Sequence, residues 1–401
     1  VTGVGPANGL ATTKSISEMD YVSMLRTIFL LGGFLSPLVV GLWSGPAGNT
    51  GASVRGWTPE ADPEMAFNPS TYVIYRTSGP IEVDGRLSEP DWAAVPWTED
   101  FVDINGRDHP APRFRTRAKM LWDDEALYVA AELEEPHVWA TLTERDAAVF
   151  QDNAFEIFLD PDGDTHNYYE FEVNALGTVF DLMLGSAFRN GGPSISAWDI
   201  RGLELGLDVK GTLNDPSDTD EGWTVEVALP WTVLRQAAPG RRLPRSGDQW
   251  RLNFARSEWP HKVVNGTYEK LIDPATGRAE ADWWVWSPQG AVNMHIPERW
   301  GYVQFADVEA GKGTVSFVED PNERVKWALR QLYYRQLDYR DANGHYAKQL
   351  SELGAGEITV DGIAFEPELQ TTQSMYEITA PGANGTTVHI RHDGKVWTTT
   401  D

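Results

Sequence analysis

Residues 150–181 read FQDNAFEIFLDPDGDTHNYYEFEVNALGTVFD, and acidic side chains recur there at spacings that could do chemistry. Glu156, Glu170, Glu172 and Asn174 fall on the polar side of two period-two runs, with Asp181 following after Gly177. Paired carboxylates on one face can serve as general acid and base, and same-face neighbours across a hairpin come close enough to do so. Acids are abundant in this chain, so such a pair also arises by chance. Between the two runs, Asp160, Asp162 and Asp164 set hard oxygen donors around Gly163, which permits a sharp turn. That is the look of a structural calcium loop. It is not an EF-hand, because the twelfth position is Phe171 rather than Glu. The plainer reading is a hairpin turn solvated by its own acids. Residues 215–220 (DPSDTD) form a second acidic loop open to the same two readings.

A second constellation mixes flat aromatic rings with polar groups. Arg145 and Asp146 follow Trp139 and precede Asn153. Arginine offers several donors in one plane, and Asp and Asn accept or exchange them. The group suits a ligand held in a loop, or a salt bridge that pins the loop. Trp198 sits in a Gly/Ser/Pro-rich stretch, 190–198, where core packing explains an aromatic ring least. Trp284 and Trp286, two residues apart, share one face if the segment is extended. Asn253 and Arg256 in LNFARSEW are further polar candidates, with Glu258 placed to orient Arg256 and Trp259 ending the motif. Any of these rings could equally be core or strand-end packing.

The elements that must position these groups are mostly strands. Alternation on either side of Asp162-Gly163-Asp164 predicts a hairpin with a third strand begun. Further strands are expected at 71–77, 81–83, 97–104, 115–122, 126–133, 202–213, 222–229, 249–258 and 300–305. An Asp84-Gly85 turn leads to a helical turn ending on Trp92, and 230–237 is a short helix. Many short strands with Gly, Pro, Asp and Asn turns predict a mainly β protein, an antiparallel β-sandwich of jelly-roll type, over 71–307. Residues 321–353 then carry helical spacing interrupted at Asn343-Gly344, and 357–401 reads as short strands. A small C-terminal α+β appendage is therefore expected over 314–401.

Composition narrows the partners. The 401 residues hold 33 basic and 59 acidic side chains, a formal charge of -26, so nucleic acid and anionic membrane are repelled. There is no cysteine, which excludes disulfides, thiolate metal sites and cysteine nucleophiles, and the eight His show no HExxH spacing. Seventeen Trp is a large number, and tryptophan is enriched at recognition surfaces. Near the start, Arg26 precedes an apolar run at 27–43 and a small-residue tail at 44–53. This predicts a cleaved signal peptide within 1–53 in preference to the alternative, a membrane anchor, because Gly32-Gly33 and Pro37 interrupt the run and it is short for a span. A secreted protein, periplasmic, surface-bound or extracellular, with no span left after cleavage, is expected. A Pro/acidic linker at 54–70 follows.

Several motifs together resemble one known family. IEVDGRLSEPDW (81–92), MLWDDEALYVAAELEEPHVWATLTERD (120–146), DNAFEIFLDPDGDTHNYYEFEVNALGTVFD (152–181), WTVEVALPW (223–231), WRLNFARSEW (250–259), WVWSPQG (284–290) and PERWGYVQF (297–305) are similar, in order, to the family 9 carbohydrate-binding module. The resemblance implies a β-sandwich that holds a sugar between aromatic rings, with polar side chains gripping its hydroxyls and calcium in structural sites. It also implies a carbohydrate of glucan or xylan type bound at a chain end, in support of carbohydrate catabolism. A sugar offers an apolar C–H face and a hydroxyl rim, so the expected contacts are Trp139, Arg145, Asp146, Asn153, Glu170, Asn174, Trp198, Asn253, Arg256, Trp259, Trp284 and Trp286, with Asp160, Asp162 and Asp164 on Ca²⁺. Two other readings stay open. One is a glycoside hydrolase using a pair among Glu156, Glu170 and Glu172. The other is an envelope or adhesion protein whose C-terminal unit binds a protein partner.

Overall fold

The computed structural model describes residues 67–400, so the expected signal peptide and most of the linker lie outside the described residues. In chain order the sandwich strands are β1 (Thr71–Arg76), β2 (Val102–Asp103), β3 (Thr116–Trp122), β4 (Ala126–Glu134), β5 (Ala154–Asp160), β6 (Tyr168–Asn174), β7 (Val179–Leu184), β8 (Ser194–Ile195), β9 (Glu204–Lys210) and β10 (Gly222–Pro230). They continue as β11 (Gln249–Glu258), β12 (His261–Val264), β13 (Thr267–Lys270), β14 (Asp282–Val285) and β15 (Gly301–Glu309). Two short helices interrupt them, α1 (Pro90–Ala94) and α2 (Trp231–Leu234).

Hydrogen bonds link eleven strands in one path, β8-β7-β6-β5-β11-β15-β1-β3-β4-β10-β9. The pairs are antiparallel except β1, which runs parallel to both β15 and β3. The path doubles over. Ile157, Phe171 and Phe254 from one half and Met120, Val129 and Val225 from the other share a single core. This is the β-sandwich that the alternation predicts. Part of the tryptophan is core: Trp122, Trp231, Trp250 and Phe305 meet edge to face, with ring centroids 5.2–6.4 Å apart.

The strand expected at 81–83 does not form, and residues 97–104 shorten to β2. The backbone after residue 81 is spent differently. The fully buried Glu226 of β10 accepts the Asp84 and Gly85 amides at 3.1 and 3.0 Å and the Trp92 indole N–H at 2.8 Å. Gly85 has φ +85°, and a Cβ there would sit 2.5 Å from the Leu207 carbonyl carbon, so the turn requires glycine.

After the sandwich come α3 (Asn322–Asn343) and an antiparallel sheet, β16 (Glu368–Thr371), β17 (Tyr376–Pro381), β18 (Thr386–Arg391) and β19 (Val396–Thr400). Leu329, Leu332 and Tyr333 of α3 pack on Ile378, Val388 and Ile390 in a separate core. The helix stops where expected, at Gly344 with φ +76°. Buried polar bonds fasten this unit to the sandwich. Glu323 accepts from Arg251 at 3.0 Å and from Tyr302 at 2.5 Å. Glu298 accepts from Arg189 and Tyr334 and lies 3.9 Å from Arg330. Burial opposes the Glu298 charge, but Arg189 and Arg330 outweigh it and hold the carboxyl down at about 2.

Removing one partner of such a pair leaves an uncompensated buried charge. Glu298→Gln is therefore expected to cost about 3–5 kcal/mol in denaturant unfolding. A loss below about 1 kcal/mol, the worth of a surface pair, would show that the two parts do not depend on it.

Candidate functional site

The loop after β4 and the hairpin β12–β13 build an aromatic cage at one end of the sandwich. The hairpin turns on Asn265-Gly266, both with positive φ (53° and 80°), in a two-residue loop closed by the Val264–Thr267 pair. It sets Tyr268 face to face with Trp139, centroids 5.8 Å apart and planes 24° off parallel. His261 stands edge-on to His137, Trp139 and Tyr268 at 5.0, 6.1 and 5.1 Å. The His137 Nδ1 lies 3.1 Å from the Tyr268 hydroxyl. Beside the cage, the Lys270 ammonium sits 3.6 Å from the centre of the Trp259 ring, and both side chains donate to backbone carbonyls, of Gln151 and Phe150.

The floor is charged and dry. Arg256, 0% exposed, donates to Glu258 at 2.7 and 3.1 Å, to Glu135 at 2.8 Å, to Thr116 Oγ1 at 3.1 Å and to the Glu134 carbonyl at 2.9 Å. Trp284 lies under the guanidinium at 5.1 Å. Asn153 directs its amide N–H groups toward Glu135 and Glu258 at 3.4 and 3.5 Å, and its oxygen accepts the Trp259 backbone amide at 2.8 Å. Burial, reinforced by the Glu258 charge, pushes Glu135 up to about 9 despite the contact with Arg256. Arg256 lies 2.8 Å from Glu135 and 2.7 Å from Glu258 and ties both carboxyl groups into the floor.

One donor in the cage is left over. Trp139 is 3% exposed, yet its indole Nε1 has no hydrogen-bond partner among the described residues. A buried unmet donor costs roughly 1–3 kcal/mol, and such an exception in a native structure calls for an explanation. Flat rings, one free donor and a set of locked polar groups are the equipment for a ligand with both a C–H face and hydroxyls.

The structure thus brings Trp139, Asn153, Arg256, Trp259 and Trp284 together and takes the other expected contacts elsewhere. Trp286 and Asn253 are corrections: Trp286 is 1% exposed and packs on Phe254 in the core, and Asn253 is consumed by the Phe254 and Ser287 backbone. Asn174 is likewise spent on Asp152, the Leu142 carbonyl and its own turn. Trp198 stacks on Tyr169 at 4.8 Å and stays half-buried. Arg145 pairs with Asp146, Asp181 and Asp199 in a cluster of its own. Asp160, Asp162 and Asp164 do converge, with one carboxylate oxygen from each within 4.8 Å of the others. Lys395 of the C-terminal sheet already reaches Asp164 at 2.5 Å.

Glu170 is also a correction. The outer face of β5–β6 is not solvated, because Trp300 and His295 close over Phe158 and Tyr168. Glu156, Glu170 and Glu172 are at most 5% exposed, and one oxygen each of Glu156 and Glu170 has no partner among the described residues. Sugar cannot reach them there. His137, His261, Tyr268 and Lys270 were absent from the expected contacts. Asn265-Gly266 is the signal that finds the last three, since Asn-Gly is the strongest short-range mark of a hairpin.

Comparison with known proteins adds a family. Residues 83–306 match the family described as carbohydrate family 9 binding domain-like. The chain is 28% identical over 174 residues to "Exoglucanase XynX" of Acetivibrio thermocellus, a stretch covering 43% of this chain and 13% of that protein's length. Among solved structures, a family 9 carbohydrate-binding module from Caldicellulosiruptor kristjanssonii, in complex with cellotriose, shares 18% identity over 62% of this chain and all of that one, with a TM-score of 0.37. A protein from Bacteroides uniformis matches at 17% identity over 59% of this chain and all of its own, with a TM-score of 0.43.

The buried acids predict a pH dependence. Burial raises Glu170 to about 7, and burial together with neighbouring carboxylates holds Glu156 and Glu172 well above the usual carboxylate range. A carboxyl whose pKa is raised by folding contributes stability that is complete below its ordinary value and is lost as pH rises through the folded value. Unfolding free energy in urea is expected to fall by about 2–3 kcal/mol between pH 5 and pH 8, and Glu172→Gln flattens that slope. Stability that rises over this window contradicts the assignment.

Proposed function

The chain belongs to the carbohydrate family 9 binding domain-like family, which supports carbohydrate binding, and from that premise we propose that it binds the end of an oligosaccharide or polysaccharide without cleaving it, in the cage built by Trp139, Trp259, His261 and Tyr268. The observation that carries this reading is the cluster of part-exposed rings, Trp259, His261 and Tyr268, gathered against the buried Trp139 beside the Arg256 network. The part-exposed ring faces take the C–H surface of a sugar, and the polar edges of His261 and Tyr268 meet its hydroxyls. The network of Glu135, Arg256, Glu258 and Asn153 fixes the floor so that little ordering remains to be done on binding.

A glucan- or xylan-type ligand is the working choice, supported by the cellotriose named with one structural neighbour and by the exoglucanase relative. The basic residue and apolar run at 26–43 support secretion, and a secreted sugar-binding protein serves carbohydrate breakdown. Asp160, Asp162 and Asp164 fit calcium by donor type and spacing; the ion would neutralise charge where Lys395 now does so and would tie the β5–β6 turn without touching sugar.

Trp139→Ala and Trp259→Ala are each expected to weaken cellotriose binding at least tenfold in calorimetry, about 1.4 kcal/mol. Loss of the part-exposed Trp259 leaves the unfolding midpoint near that of the parent, whereas loss of the buried Trp139 ring also costs about 3 kcal/mol of stability. Unchanged affinity in both folded variants overturns the placement of the site.

A further inference from the structure

A second cavity, of about 540 Å³, lies away from the cage, where the sandwich meets the first turns of α3. Its size falls within the range of small-molecule sites. The ionised side chains around it are largely committed. Glu319 holds Arg324 by two bonds of 2.7 and 2.9 Å. Glu323 holds Lys326 and Arg251 at 2.6 and 3.0 Å. Arg324, the one cation on the wall, is therefore matched, and nothing there invites an anion. Trp327 is closed as well, with Phe67 stacked on it at 4.4 Å and the Arg299 guanidinium 4.9 Å from its centre.

What remains open is neutral apart from the exposed Asp361 carboxylate, which can accept from hydroxyls. Asn68, Thr71, Gln331 and Thr359 line the cavity and spend no side-chain donor or acceptor on the described residues. Gln249 donates its amide N–H groups to Gln304 and to the Val318 carbonyl, which leaves its own oxygen as an acceptor. The half-buried Phe317 ring adds apolar area on the same wall. Amides and hydroxyls that both donate and accept, beside one flat ring and with no free cation, complement an uncharged molecule with many hydroxyls.

We propose that this junction is a second carbohydrate site, taking a neutral oligosaccharide segment on Phe317, Gln331 and Gln249, so that one chain holds sugar at two places. The site is argued from its own walls and rests on the reading of the cage only for the choice of sugar. Two sites on one rigid body raise retention on a polymer by making the second contact intramolecular.

The test is calorimetry on the intact chain with cellotriose and, separately, xylotriose, for the parent, Trp139→Ala, Gln331→Ala and the double variant Phe317→Ala/Gln331→Ala. The expected result is two ligands per parent chain with at least one of these sugars. Trp139→Ala keeps the junction site, and the junction variants keep the cage. Gln331→Ala alone weakens the junction at least threefold, and because the half-buried Gln331 side chain bonds to none of the described residues this variant keeps the fold intact should Phe317→Ala disturb it. A single ligand per chain that disappears in Trp139→Ala overturns the junction site and leaves the cage standing. A single ligand lost only in the junction variants overturns the cage instead. No binding of either sugar to the parent overturns both.

Discussion

Arg256 carries a full positive charge to a place that water does not reach, and the end of the sandwich is arranged to answer it. Burying a guanidinium costs several kcal/mol unless every donor is met. Here a carboxylate of its own strand, a carboxyl and a carbonyl at the end of β4, and a hydroxyl of β3 meet them all. Those partners come from both halves of the folded sheet, so the same bonds that satisfy the charge also fix the distance between the halves at that end. The cage stands on this fixed floor. Its rings are held by neighbours and carbonyls, and only the Trp139 indole is left with nothing to bond.

The same logic recurs across the molecule. Glu226 ties the segment after residue 81 to β10 by taking three N–H donors. Glu298 and Glu323 tie the C-terminal unit to the sandwich through Arg189, Arg330 and Arg251. The 164–166 and 393–396 turns add the Val396 amide on the Asp164 carbonyl, the Thr165 hydroxyl on the Gly394 carbonyl and the Lys395–Asp164 pair. A chain with a formal charge of -26 spends many of its scarce cations inside. That leaves an acidic surface, which suits neutral ligands and repels polyanions.

Strands were legible wherever alternation is strict, as in 154–160 and 168–174, because an apolar face two residues deep has only one way to be buried. The helix at 322–343 and its end at Asn343-Gly344 were legible for a similar reason. The fate of the other face was not. Period-two polarity says which side chains point away from the core, not whether a later loop will cover them, and residues 286–300 cover Glu156, Glu170 and Glu172 from more than a hundred positions downstream. Tryptophan was ambiguous in the same way: Trp139 and Trp286 look alike in sequence, and only the second packs into the shared core. The hairpin at 261–270 escaped because its strands are too polar to alternate, although its Asn-Gly turn is explicit.

The most direct test of the cage is the tryptophan indole N–H spectrum of the isotopically labelled protein during titration with cellotriose. A ligand stacked on the part-exposed rings changes the surroundings of the indoles packed against them, so the account predicts that the Trp139 and Trp259 resonances move to saturation while the core indoles of Trp122 and Trp231, already bonded to carbonyls, stay in place. A Trp139 resonance that does not move at saturating sugar would contradict it.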